Sequence, residues 1–103
     1  MKQTAKQLEM IDQLLRWKDS YKNDSRMTRN AQRIAIYQNL ARVCEQVMQQ
    51  VAEPKHGRSI PDANEVVDIV DRVKLECGCA IPEWAQRQYD AIIDATQPYF
   101  VGN

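Results

Sequence analysis

Three cysteines and one histidine are the residues of this chain best suited to bind a metal ion or to act as nucleophiles. Two of the cysteines, Cys77 and Cys79, flank a single glycine. A structural zinc ion needs four ligands, so Cys44 and His56 would have to join them, and the spacing offers no CxxC pair to anchor such a site. Free cysteine is often a small buried apolar residue, and glycine often ends a helix. The pattern therefore indicates a helix end followed by a short linker, not a metal or redox site.

Catalytic machinery is hard to assemble from the other residues. His56 lies in a polar segment, and no serine or cysteine is placed beside it by the sequence. No glycine-rich phosphate loop, nucleophile elbow or HExxH motif is present. The acids Glu65, Asp68, Asp71 and Asp94 fall mostly opposite the apolar positions of their segments, which is typical of a solvated face. We therefore expect a non-enzymatic protein without a catalytic residue, a metal ion or a cofactor.

The charges are separated along the chain, although the formal net charge is zero. Residues 1–59 carry eleven lysines and arginines against six acids, whereas residues 60–103 carry three against eight. Such an asymmetry can steer a charged partner, or it can be neutralised within the fold or between two copies of the chain.

The densest basic stretch is residues 16–33, with six cations against two acids. If a second helix begins near residue 26, its arginines recur at three- and four-residue steps and share one side of it. On that helix Arg29 and Arg33 extend the apolar strip, so this strip must either project beyond the bundle or meet carboxylates. A solvated helix start that pairs with the acidic second half of the chain is the alternative. The candidate partner-binding residues are Lys22, Arg26, Arg29, Arg33 and Tyr37.

Four amphipathic segments must position these residues. The apolar periodicity and the turn formers predict helices over about residues 4–21, 26–51, 61–77 and 82–97. The turn signals are the stretch KNDS before the second helix, the connection at 52–59, and Gly78 after the third helix. Only three glycines and four prolines are present, which favours helices over tight β-turns. We expect an all-α, single-domain bundle with a long central second helix.

The helical wheel also predicts which faces are buried. In the first segment the apolar half includes Leu8, Leu14 and Leu15, while Gln7 falls elsewhere. In the second segment Leu40 lies in the middle of the apolar strip, and Asn39 falls on the polar side.

The function class that fits best is a small protein-protein interaction module. We expect it to occupy a surface of another protein, or of a second copy of itself, as phage- or mobile-element-encoded inhibitors and adaptors do. A sequence-nonspecific nucleic-acid binder that uses residues 16–33 is the alternative. Helices three and four resemble a helix-turn-helix in outline, but the fourth carries three acids and only one arginine, which phosphates would repel. No stretch approaches the roughly 18 apolar residues of a membrane span, so we expect no membrane partner and a cytoplasmic protein. The three cysteines are an odd number without the dense spacing of a disulfide framework, so we expect reduced thiols.

Overall fold

The computed structural model describes residues 5–52, 63–78 and 80–96, and most of these residues are helical. No strand occurs within these ranges. The helices are α1 (Ala5–Met27), α2 (Ala31–Ala52), α3 (Ala63–Cys77) and α4 (Glu83–Thr96). The predicted all-α bundle with a long second helix is confirmed.

The boundary between the first two helices differs from the prediction. α1 runs through the predicted KNDS turn to Met27, which makes it, with 23 residues, one residue longer than α2. Ser25 is not a cap, because its hydroxyl donates to the Lys22 carbonyl at 2.6 Å inside the helix. The cap of α2 is Asn30, whose side-chain oxygen accepts a hydrogen bond from the Arg33 backbone NH at 3.1 Å. The second helix therefore begins about five residues later than the sequence pattern indicated.

α2 lies at the centre of the fold. It packs along the length of α1 and also contacts α3 and α4. The buried side chains of all four helices form one hydrophobic core. Its largest fully buried members are Tyr89, Met10, Leu14, Ile36, Leu40, Ile92, Val43, Val47, Val51, Val66, Val70 and Val73. Because α1 and α2 are long and α3 and α4 are short, the molecule is elongated, with extents of 43 × 22 × 19 Å.

Four assignments from the helical wheel are wrong, three on α1 and one on α2. Leu8 and Leu15 are exposed, and Gln7 is buried instead, where its amide donates to the Val51 carbonyl. Asn39 is only 7% exposed. Its amide donates to the Val73 carbonyl at 2.8 Å and to the Tyr89 hydroxyl at 3.2 Å. α2 is covered on more than one side, so its buried arc is wider than a single apolar strip.

The link between α3 and α4 follows the predicted pattern. Gly78 has a φ of 66° and comes directly after α3, which confirms the predicted stop. The Pro82 carbonyl accepts hydrogen bonds from the backbone NH groups of Ala85 and Gln86 at 3.0 Å, and so opens α4. The link also reaches α2, because the Gln32 side chain donates to the Ala80 carbonyl at 3.5 Å.

Several sequence predictions lie outside the described residues. They are the connection at 52–59 with His56, the start of the third helix at Pro61, the linker residue Cys79 and the break at Pro98. Within the described ranges, every helix is too short or too polar to cross a bilayer.

Candidate interaction surface

The candidate cations lie on two helices and on the link between them, not on one helix. Lys22 and Arg26 belong to the last two turns of α1, Arg29 lies in the link, and Arg33 lies in the first turn of α2. The prediction that the three arginines share one side of the second helix is therefore wrong. The structure nevertheless gathers them, because only residues 28–30 separate the end of α1 from the start of α2.

We use the name hairpin tip for this end of the α1–α2 pair. It consists of Lys22, Arg26, Met27, Arg29 and Arg33. All five side chains are exposed. Arg26 complements the negative end of the α1 dipole. Arg33 lies at the positive end of the α2 dipole, where no acid occupies the first turn to offset it. The start of α2 is thus locally unfavourable for a cation and favourable for an anion.

The cations of the tip have no carboxylate partner among the residues that the structure describes. Three other arginines do have one. Arg16 pairs with Asp12 at 3.0 Å, Arg42 with Glu76 at 2.8 Å, and Arg87 with Glu83 at 2.8 Å, all at the surface. The predicted pairing of the basic first half with the acidic second half thus occurs at Arg42, and within the described ranges it does not extend to the hairpin tip.

Arg33 is held by an aromatic ring instead. Its guanidinium carbon lies 5.4 Å from the centroid of the Trp84 ring on α4. Tyr37, one turn further along α2, contacts the same indole at a centroid distance of 5.3 Å and an interplanar angle of 49°. A cation–π contact at an exposed site contributes about 0.5–1 kcal/mol. The contact fixes the position of the Arg33 charge without neutralising it.

Trp84 and Met27 are the two site residues that sequence reasoning missed. Trp84 is half-buried, packs against the hydrophobic core and lies beside Arg33. Nothing in its spacing from the basic segment could have revealed that contact, because only tertiary packing creates it. Met27 is 78% exposed. Recognising Asn30 as the cap of α2 would have placed Met27 at the exposed end of α1.

Carboxylates lie on the helix that borders the tip. Glu83, Asp90 and Asp94 are exposed on α4. Glu83 is paired with Arg87, and Asp90 accepts a hydrogen bond from Gln86 at 2.9 Å. The exposed cations at the end of the α1–α2 pair therefore lie next to a helix that carries exposed carboxylates.

Tyr21, which precedes the tip residues on α1, connects α1 to α4. Its hydroxyl donates to the side-chain oxygen of Gln88 at 3.1 Å. Burial raises the pKa of Tyr21 to about 12, with a smaller contribution from nearby acidic groups. The tyrosine therefore stays neutral and remains a hydrogen-bond donor at physiological pH.

The described cysteine thiol is a core residue. Cys44 is fully buried on α2. Burial raises its pKa to about 12, which keeps the sulfur protonated and poorly nucleophilic. Within the described ranges, no three His, Cys, Asp or Glu residues are grouped in a way that could hold a metal ion.

The comparisons with known proteins do not add a functional assignment. A scan against protein-family models gave no match, and searches of curated proteins and of solved structures found no significantly similar chain.

Proposed function

We propose that this chain is a non-catalytic interaction module whose hairpin tip binds an acidic surface on a protein partner. The observation that carries the proposal is the position of four exposed cations, Lys22, Arg26, Arg29 and Arg33, at one end of the α1–α2 pair, where none of them is paired with a carboxylate of the described residues. Such a module acts by occupying a surface of its partner.

The charge distribution favours a protein over a nucleic acid as the partner. Nucleic-acid-binding domains often have a pI above about 9, whereas the pI of this chain is about 6.6. A long polyanion lying across the tip would also approach the exposed carboxylates of α4. An acidic patch on a protein is smaller than a long polyanion, so it can contact the tip without approaching the carboxylates of α4. The rings of Tyr37 and Trp84 are the features that would suit the nucleic-acid alternative, because bases stack on aromatic side chains.

A titration with poly-L-glutamate tests this proposal directly. Wild-type chain is compared with the double variant Arg29→Gln/Arg33→Gln. The matched control is Arg16→Gln/Arg87→Gln, which changes the net charge by the same amount away from the tip. We expect the tip variant to bind about tenfold more weakly or worse, and the control to bind like the wild type. Circular dichroism checks that both variants keep their helices.

Two results would argue against the proposal. An equal loss of affinity in both double variants would mean that only net charge matters. Tighter binding of duplex DNA than of poly-L-glutamate at matched charge concentration, with a steep dependence on salt, would favour the nucleic-acid alternative.

A further inference from the structure

The two most exposed of the large apolar side chains in the described ranges lie on different helices. Met27 ends α1 with 78% exposure, and Leu75 lies in the last turn of α3 with 82% exposure. Single exposed apolar residues are common on protein surfaces. Met27 differs from such residues because cations flank it, and Leu75 differs because it borders a groove that a carboxylate also lines.

The groove is open to solvent and has a volume of about 530 Å³. Its described lining consists of Asp71, Lys74, Leu75, Gly78 and Ile81. We call it the α3 groove. Gly78 leaves it wide, because no atom lies within 4 Å of the position that a Cβ would take there. The groove therefore offers room for a side chain beside two exposed or half-exposed apolar residues.

The described lining of the groove carries one acid and one base, Asp71 and Lys74, and they do not form an ion pair with each other. Lys74 is held against α4, where its ammonium donates to Gln86 at 2.9 Å and lies 5.1 Å from the centroid of the Tyr89 ring. Asp71 is exposed, and no ion pair of the described ranges includes it. The groove thus combines apolar surface with a carboxylate that is available to an incoming cation.

We propose that the α3 groove of one copy of this chain receives the hairpin tip of a second copy. Met27 packs against Leu75 and Ile81, and Arg26 or Arg29 faces Asp71. The inference rests on the proposed function, because it uses the same tip and names a second copy as the acidic partner.

Three physical arguments support a second copy as the occupant. The positive first half and the negative second half of the chain attract each other between copies. Methionine and arginine are both enriched at protein interfaces. A chain of 103 residues has a modest core, so covering Met27 and Leu75 by association adds apolar burial that folding alone does not provide.

Sedimentation velocity of the purified full chain over a range of protein concentrations tests the proposal. The tip variant is Arg26→Glu/Arg29→Glu, and the groove variant is Asp71→Arg. We expect the wild type to self-associate, and each variant alone to associate about tenfold more weakly or worse. An equimolar mixture of the two variants should associate more tightly than either alone, because the glutamates of one then face the arginine of the other.

Two controls separate the groove from its surroundings. Asp68→Arg reverses an exposed charge on α3 that does not line the groove, and it should associate like the wild type. Met27→Gln should weaken association, whereas Leu8→Gln, at the other end of α1, should not.

A wild type that stays monomeric at all concentrations would overturn this inference. So would a groove variant that associates like the wild type while the tip variant does not. If the wild type still binds poly-L-glutamate in either case, the proposed function stands and only the identity of the partner is wrong. If the wild type is monomeric and does not bind poly-L-glutamate, both the proposed function and the pairing of tip and groove are wrong.

Discussion

Asn39 shows how one polar residue can join three helices. It lies on α2, and its amide donates to a carbonyl of α3 and to the Tyr89 hydroxyl of α4. Both bonds are buried, so their polar atoms would lose a partner without gaining water if the amide were removed. The residue thereby fixes how α3 and α4 sit on the central helix, and α4 carries the Trp84 ring that holds Arg33.

Replacing this amide should be costly. We expect Asn39→Ala to lower the free energy of unfolding by about 1–3 kcal/mol, because it leaves buried groups unpaired. Tyr89→Phe removes one of the two bonds and should cost about 0.5–1.5 kcal/mol. The exposed neighbour Gln38 is the matched control, and Gln38→Ala should change stability by less than about 0.5 kcal/mol. Urea denaturation measures all three. Equal effects at Asn39 and Gln38 would contradict the role given to the buried amide.

The thiol of Cys44 gives a second prediction at this scale. Its pKa is raised from an ordinary value of 9.0 to about 12 in the folded chain, chiefly by burial. The unfolded chain therefore releases this proton at lower pH than the folded chain does. It follows that the contribution of the neutral thiol to stability is complete below pH 9.0 and is lost as the pH rises through about 12.

Urea denaturation in the presence of a reductant can measure this dependence. The free energy of unfolding of the wild type should decline over that alkaline range, and Cys44→Ala should decline less steeply, although it starts from a lower stability. Tyr21 adds to the decline in both proteins, because its pKa is also raised. Identical slopes for the two proteins would mean that the thiol is not shielded from solvent.

At the scale of the element, the end of α1 decides where the cations lie. The predicted KNDS turn is part of α1, where the Ser25 hydroxyl donates to the Lys22 carbonyl, and Asn30 caps α2. This shift moves Arg26 from α2 to α1 and turns a one-sided stripe into a cluster at the end of two helices.

A pair of substitutions tests that boundary. Asn30→Ala should lower the free energy of unfolding by about 1 kcal/mol, because the first turn of α2 loses its cap. Ser25→Ala should be neutral or slightly stabilising, because alanine is the better residue inside a helix. Thermal or urea denaturation distinguishes them. If Ser25→Ala lowers the free energy of unfolding more than Asn30→Ala does, the start of the second helix near residue 26 that the sequence pattern indicated would be correct.

The faces of the helices could be predicted only in part. α3 follows its pattern, with Val66, Ile69, Val70 and Val73 all buried, because it packs one face on its neighbours. On α1 the pattern holds only in part, because Leu14 is buried as predicted but other positions differ. Met10 and Gln7 are buried while Leu8 and Leu15 are exposed, since a leucine on the flank of a helix is buried only if another element covers that flank. The apolar periodicity of the sequence identifies the apolar side of a helix. The helices that pack against it determine which residues lie at the centre of the buried face.

At the scale of the whole molecule, the fold brings cations of the basic first half next to carboxylates of the acidic second half. The positive residues of the first half are concentrated at the hairpin tip, and carboxylates of the second half border it on α4 without pairing with it in the described ranges. The four candidate cations could be selected from the sequence by their charge density. The contact of Arg33 with Trp84 could not, because residues 51 positions apart meet only in the folded bundle.

The most direct measurement of the central claim is a nuclear magnetic resonance titration of isotope-labelled chain with poly-L-glutamate. We predict saturable shifts at the backbone amides of Arg26, Arg29 and Arg33 and at the indole NH of Trp84, while the indole NH of Trp17 stays in place. If no amide shifts, or if the shifts centre on Arg42 of α2 and Arg72 of α3, the assignment of binding to the hairpin tip would be contradicted.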